Sequence, residues 1–146
     1  MDAERVREFL LGLPHVMETV QWGGRLVYWV GDKAIGGKIF AVVNLDGTGR
    51  VISYAAGRER FAELVEIEGV DPAPYMARNF WVAVDGWGVF RATEWEQELT
   101  AAHQFIFGKL PPRTKAVLAM PLKEQKKLIR ERKALLAAKA AVAKKK

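Results

Sequence analysis

Three short segments rich in β-branched and aromatic residues follow one another between residues 26 and 54, and they constrain the fold of the chain more than any other feature. They are Leu26–Val30, Lys38–Asn44 and Arg50–Tyr54. Segments of this composition are typical of β-strands. The glycine-rich connections between them are too short for the helical crossover that parallel strands require. The pattern therefore predicts an antiparallel meander, with Asp46-Gly47-Thr48-Gly49 as a hairpin turn.

Apolar residues at helical spacing flank this meander on both sides. The predicted helices begin after Asp2, run from Arg58 to Glu68, and run from a capping box at Thr93 and Glu96 to Leu110. Trp81–Val84 is predicted to add a further strand. At 146 residues the chain is long enough to bury one core of this kind. We therefore predict an α+β domain over residues 1–120, followed by a basic, alanine- and lysine-rich helical tail over residues 121–146.

Charge is divided unequally along the chain, although the net charge is +6. Residues 1–108 carry 10 basic and 15 acidic side chains, whereas residues 109–146 carry 13 basic and 2 acidic side chains. A basic segment of this kind is expected of a protein that binds nucleic acid or an anionic membrane surface. A lysine-rich tail that keeps a protein in solution has the same composition.

The tail also carries an apolar stripe with a seven-residue repeat. Its members are Leu122, Ile129 and Leu136, together with Leu128, Leu135 and Val142. Two and a half heptads are fewer than the three or four that indicate a coiled coil. Two alternatives remain at this point: a helix that docks on its own domain or on a partner, and a frayed basic arm.

Neither catalysis nor metal binding has a recognisable motif. Cysteine is absent, the single serine, Ser53, lies within a predicted strand, and the two histidines have no catalytic partners in the sequence. His103 shares a helix face with apolar residues, so we expect it to be half-buried and hydrogen-bonded. Glu59, Glu63 and Glu66 are spaced along one helix face, which usually means a solvated surface. We expect a protein that is not an enzyme and has neither cofactor nor metal site.

The location of the chain can also be anticipated. No apolar run approaches the roughly 20 residues that span a bilayer, and the first residues do not resemble a signal peptide. We expect a soluble, cytoplasmic protein that makes no membrane contact.

Aromatic residues are numerous, and stacking on an aromatic ring beside Lys or Arg is one way in which single strands are held. Trp81 and Trp95 fall on predicted core faces, so they are expected inside the domain. Trp22 lies in a glycine-rich loop and is the ring we expect at the surface, with Trp87, between two glycines, as the second candidate.

Several motifs, taken in order, resemble the MmcQ/YjbR family over roughly Met1 to Lys115. They are Gly12-Leu13-Pro14, Trp22-Gly23, Pro72-Ala73-Pro74-Tyr75 with Trp81-Val82, and Lys109-Leu110-Pro111. The resemblance implies a fold similar to bacterial frataxin (CyaY), in which helices pack on one side of an antiparallel sheet. The family is described as DNA-binding, because its hairpins have been likened to the double wing of a phage transcription factor. Ala34-Ile35-Gly36-Gly37 departs from the family pattern, which implies a longer or bulged connection.

The resemblance and the basic tail together lead to a first expectation of function. We expect a DNA-binding protein that contacts mainly phosphates and has weak sequence preference. The candidate contact residues are Trp22, Arg25, Lys38, Arg50, Arg58, Lys109, Arg113 and Lys115. The alternative is a protein-interaction module that binds a partner or a second copy through the tail helix. A frataxin-like metal carrier that uses Glu59, Glu63 and Glu66 is a remote alternative.

Overall fold

The structure, a computed structural model, describes residues 1–46, 49–74 and 76–145. The helices are α1 (Ala3–Leu11), α2 (Arg58–Leu64), α3 (Ala92–Lys109), α4 (Pro112–Leu118) and α5 (Leu122–Lys145). The strands are β1 (Val16–Gln21), β2 (Arg25–Val30), β3 (Lys38–Val43), β4 (Ile52–Ala55), β5 (Val70–Pro72) and β6 (Trp81–Val84). Short 3₁₀ turns occupy Lys33–Ile35 and Ala77–Asn79. Gly47 and Thr48 of the predicted hairpin turn, and Tyr75 of the family motif, lie outside the described residues.

The six strands form one antiparallel sheet in the order β1-β2-β3-β4-β6-β5. This confirms the predicted meander and the α+β class. Two strands, β1 and β5, were not predicted, and both lie at an edge of the sheet. The predicted helix from Arg58 to Glu68 ends earlier, at Leu64, and the chain then enters β5 at Val70.

Helices α1 and α3 cover the same face of the sheet. Glu18, Tyr28, Ala41 and Tyr54 are paired in register across four strands, so their side chains point to one face. The Tyr54 hydroxyl donates to Glu98 of α3 at 2.8 Å, and Arg7 of α1 donates to Glu18 at 2.8 Å. The arrangement agrees with the prediction that helices pack on one side of the sheet.

The core lies between this face and α3. Trp95 is fully buried, and its indole donates to the Trp87 carbonyl at 2.9 Å. The predicted capping box of α3 was wrong by two residues, because the Glu94 carboxylate accepts from the Arg91 N–H at 3.0 Å. His103 is hydrogen-bonded as expected, with Nε2 at 2.7 Å from the Pro14 carbonyl oxygen, but it is buried rather than half-buried, and burial lowers the pKa of its imidazole.

The connection between β2 and β3 contains the first 3₁₀ turn, and an irregularity lies in the strands that it joins. The register of the two strands shifts between Tyr28 and Trp29. In the connection, the Gly37 N–H donates to the Asp32 carbonyl at 2.9 Å. The Thr114 hydroxyl of α4 donates to the Ile35 carbonyl at 2.8 Å, which attaches α4 to this connection.

Helix α5 is docked on the domain through its first half. Gln125 is buried and donates to the carbonyls of Leu118 and Met120 at 3.1 and 2.7 Å. Lys133 then forms an ion pair with Asp32 at 3.3 Å. The side chains of residues 134–143 are exposed. None of the helices in the described part of the chain is long and apolar enough to cross a membrane.

Candidate nucleic-acid interface

The cationic side chains of α5 form the first part of the interface. Those that are exposed are Lys123, Lys126, Lys127, Arg130, Arg132, Lys133 and Lys139. Within residues 122–143, Lys133 is the one cation that forms an ion pair with a described residue. At 1.5 Å per residue the helix is about 36 Å long. It therefore presents a row of positive charge in which cations outnumber the two carboxylates, Glu124 and Glu131.

Trp22 is displayed by the loop between β1 and β2. Its backbone has a φ of 51°, and Gly23 and Gly24 continue the left-handed conformation at 74° and 98°. This region is unfavourable for a bulky residue, so the three-residue loop holds Trp22 in a strained conformation. Its side chain is 59% exposed, which confirms the predicted surface ring.

The Trp22 ring borders a cavity of about 290 Å³, which we name the tryptophan cavity. It is also lined by Arg25, Val42, Asn44, Arg50 and Ser53. Tyr54 points toward α3, and neighbouring residues of a strand point to opposite faces. Ser53, and with it the tryptophan cavity, therefore lies on the sheet face opposite α3.

The two arginines of the tryptophan cavity differ in the charge around them. The Arg50 guanidinium lies 3.7 Å from Asp71 and 3.9 Å from Asp85, so two carboxylates offset its charge. Arg25 is exposed and forms no ion pair with any residue that the structure describes. Arg25 is therefore the better placed of the two to meet a phosphate.

A second cavity, of about 300 Å³, brings together three cations, and we name it the cationic cleft. Lys38 comes from the start of β3, Arg78 from the second 3₁₀ turn and Lys109 from the end of α3. No Asp or Glu among the described residues lines it. The Lys109 ammonium lies 4.6 Å from the centre of the Phe105 ring, which orients it by a cation–π contact.

The structure divides the predicted contact residues into separate groups. Trp22, Arg25 and Arg50 meet in the tryptophan cavity, and Lys38 and Lys109 meet in the cationic cleft. The remaining three residues line neither cavity: Arg58 begins α2, and Arg113 and Lys115 lie on α4. The Lys115 ammonium donates to the Gly108 carbonyl at 2.9 Å.

Arg78 is the site residue that sequence reasoning missed. It lies in the segment between β5 and β6, where proline and the absence of periodicity gave no element on which to place it. Ala73, Pro74 and Met76 of this segment border the tryptophan cavity, and residues 78–81 border the cationic cleft. The segment therefore contributes to both cavities.

The other sequence candidates do not form a site in the part of the chain that the structure describes. Trp87 is partly buried, with its ring 5.2 Å from that of Trp95, so it belongs to the edge of the core. Glu66 lies beyond the end of α2, and the three-carboxylate face predicted with Glu59 and Glu63 is not formed. Among the described residues no group of three His, Asp or Glu side chains is placed to hold a metal ion.

Comparison with known proteins identifies the family. A family model described as YjbR matches residues 11–105. The chain belongs to the YjbR family. The YjbR match includes Trp22, Arg25, Lys38, Arg50 and Arg78, and it ends before Lys109, α4 and α5. A comparison with curated proteins finds no match.

A solved structure shares the fold of this YjbR chain. It is the crystal structure of Deinococcus radiodurans protein DR2400, with the family-model domain DUF419. The two chains are 22% identical and superpose with a TM-score of 0.69, over 81% of this chain and 88% of the Deinococcus chain. At this identity the likeness establishes the fold alone.

Proposed function

We propose that this YjbR-family protein is a non-enzymatic DNA-binding protein that holds DNA mainly through its phosphates, with weak sequence preference. The observation that carries the proposal is α5, whose exposed cations, apart from Lys133, have no carboxylate partner among the described residues. Cations that neutralise phosphates release condensed counterions, which supplies affinity without reading sequence. Phosphate contacts position a protein on DNA, whereas base contacts confer specificity.

The tryptophan cavity, beside the loop between β1 and β2, supports the same proposal independently of α5. An exposed indole beside an unpaired guanidinium can stack on a base while the cation meets the adjoining phosphate. Trp22 and Arg25 have this arrangement. The proposal thus assigns most of the affinity to α5 and a preference for unpaired bases to the loop between β1 and β2.

Neutralising three α5 cations is expected to weaken DNA binding and to make it less dependent on salt. The variant is Lys127→Gln, Arg132→Gln and Lys139→Gln, which alters exposed side chains that hold no described partner. Each phosphate contact contributes about 0.9 to the slope of log K against log salt, so three lost contacts lower the slope by up to about 2.7. Fluorescence anisotropy of labelled single- and double-stranded DNA, titrated from low to high salt, measures both quantities.

A matched control removes the same charge from the body of the protein. Arg5, Lys33 and Arg91 are exposed and lie outside both cavities. Their replacement by Gln is expected to leave the slope within about 0.5 of the parent value. Equal losses in the two variants would mean that net charge alone attracts DNA, and absence of binding by the parent protein at low salt would refute the proposal.

The uncovered part of the apolar stripe of α5 favours a second candidate function, binding of an acidic amphipathic helix from a partner protein. Leu122, Leu135, Leu136 and Val142 are each more than half exposed. Most charged side chains of α5 are basic, so a second copy of the helix is repelled and an acidic helix is attracted.

A designed peptide with leucine and glutamate in heptads tests this second candidate. The full-length protein is expected to bind the labelled peptide, and Leu135→Gln with Leu136→Gln is expected to weaken binding at least tenfold. Ala137→Gln with Ala138→Gln is the control on the same exposed helix. Equal binding by both variants would show that charge, not the stripe, attracts the peptide and would remove this candidate.

A further inference from the structure

The cationic cleft is lined by positively charged side chains that no carboxylate of the described residues neutralises. Lys38, Arg78 and Lys109 are far apart in sequence and come from three different elements. None of the three forms an ion pair with a described residue, and no carboxylate of the described residues lines the cleft. Like charges that line one cavity repel each other and focus a positive potential in it. A bound anion relieves this repulsion.

One wall of the cleft contains a residue with a strained backbone conformation. Phe80 has a φ of 61°, and its carbonyl accepts from the N–H groups of Ala56 and Gly57 at 3.0 and 3.3 Å. A non-glycine residue in this region is unfavourable and persists only where its surroundings fix it, which is common at ligand sites. Phe80 lines the cleft together with Arg78, two residues earlier.

Gly57 permits the close approach of the opposite wall. Its φ is 85°, and a Cβ built on it would lie 3.1 Å from the Phe105 ring. Phe105 can therefore pack on the Gly57 backbone while its ring lies beneath the Lys109 ammonium. The cleft thus has a lysine in contact with an aromatic ring, an arginine from a different element and an aromatic wall.

From these features we propose that the cationic cleft binds a phosphoryl group of a nucleotide. A planar guanidinium pairs with two phosphate oxygens, and ammonium groups add point charges. Three cations match a multiply charged phosphoryl group better than a singly charged carboxylate. The volume of about 300 Å³ is at the lower end for small-ligand pockets, and the apolar part of the wall suits a sugar or base. The group can belong to a DNA backbone or to a free nucleotide, and the site does not depend on α5.

Calorimetry with the full-length protein tests the site directly. Pyrophosphate and ATP are expected to bind at low ionic strength, and adenosine, which lacks phosphate, is not. Lys38→Gln with Arg78→Gln is expected to weaken pyrophosphate binding at least tenfold. The control, Arg5→Gln with Arg91→Gln, removes the same charge outside the cleft and is expected to change binding less than twofold. Unaltered pyrophosphate binding in the cleft variant, or none in the parent at millimolar concentration, overturns the proposal.

Two further measurements distinguish the sources of the phosphate and guard against a folding defect. Because the cleft variant removes like-charge repulsion, its Tm without ligand is expected to equal or exceed that of the parent. Loss of both pyrophosphate and DNA affinity in the folded variant assigns the site to a DNA phosphate. Loss of pyrophosphate affinity with DNA binding retained assigns it to a free nucleotide. If the parent protein binds pyrophosphate but no DNA, the proposed function is refuted and the phosphoryl site in the cleft is supported.

Discussion

Gly37→Ala is expected to lower the free energy of unfolding by about 4 kcal/mol or more, a cost that only a few mechanisms produce. A Cβ built on Gly37 would overlap the Gly31 carbonyl oxygen and lie 2.8 Å from the Val30 carbonyl oxygen. Both obstacles are backbone atoms at the end of β2, so no side chain can rotate away to make room. The overlap can be relieved only if the backbone at Gly37 moves away from the backbone at Val30 and Gly31, which opens the connection between β2 and β3. Urea unfolding followed by circular dichroism measures the change.

A second glycine provides the control for this substitution. Gly108 lies in the last turn of α3, and a Cβ built there meets nothing within 4 Å. Gly108→Ala is expected to leave stability unchanged or raise it by about 0.5–1 kcal/mol, because alanine is the better helix former. If Gly37→Ala unfolds at the same urea concentration as Gly108→Ala, the close approach at Gly37 is not present in solution.

Trp95→Ala is the second substitution with a large expected effect, a loss of about 3–5 kcal/mol. The ring is fully buried, packs against Trp87 and Phe90 at centroid distances of 5.2 and 5.0 Å, and donates a hydrogen bond to a backbone carbonyl. Truncation leaves a cavity beneath the start of α3 and an unpaired carbonyl at Trp87. Thermal and urea unfolding of the full-length protein give the free-energy difference.

Replacing Trp22 by alanine is the control, because it removes the same side chain from an exposed position and so shows how much of the stability loss at Trp95 is due to burial. Trp22 is 59% exposed, so Trp22→Ala is expected to change the free energy of unfolding by less than about 0.5 kcal/mol. Comparable losses for the two variants would contradict the division between core and surface tryptophans. A normal Tm for Trp22→Ala also allows its effect on single-stranded DNA binding to be interpreted as the loss of a stacking ring.

Much of the fold could be predicted because strand composition and short connections leave few arrangements. β2, β3, β4 and β6 carry dense β-branched and aromatic residues, and their antiparallel pairing follows from the lengths of the connections. β1 was missed because its segment, Val16–Gln21, contains Met, Glu and Gln. It forms a strand because it pairs with β2, and this pairing depends on tertiary structure rather than on the composition of the segment.

The candidate site was predictable only as a set of residue types. Trp22 could be found because a large ring in a glycine-rich loop has no core to enter. Lys38 and Lys109 could be named, but their meeting depends on the end of α3 lying over the start of β3. Arg50 looked equivalent to Arg25 in the sequence, and only the fold shows two carboxylates beside it. The spacing of residues along one strand does not predict which side chains of other strands will lie beside them.

The docking of α5 by its first half has an electrostatic consequence for the whole molecule. Twelve residues beyond Lys133 extend about 18 Å at 1.5 Å per residue. Residues 134–143 of this free length carry one cation, Lys139, and the other exposed cations of α5 lie on its docked half. Screening in physiological salt acts over about 8 Å, so only the far part of the free length lies beyond the field of residues 1–108, where acidic side chains outnumber basic ones. We therefore expect the positive potential to follow α5 from the domain outward, and an approaching polyanion to be attracted along this helix rather than to the sheet.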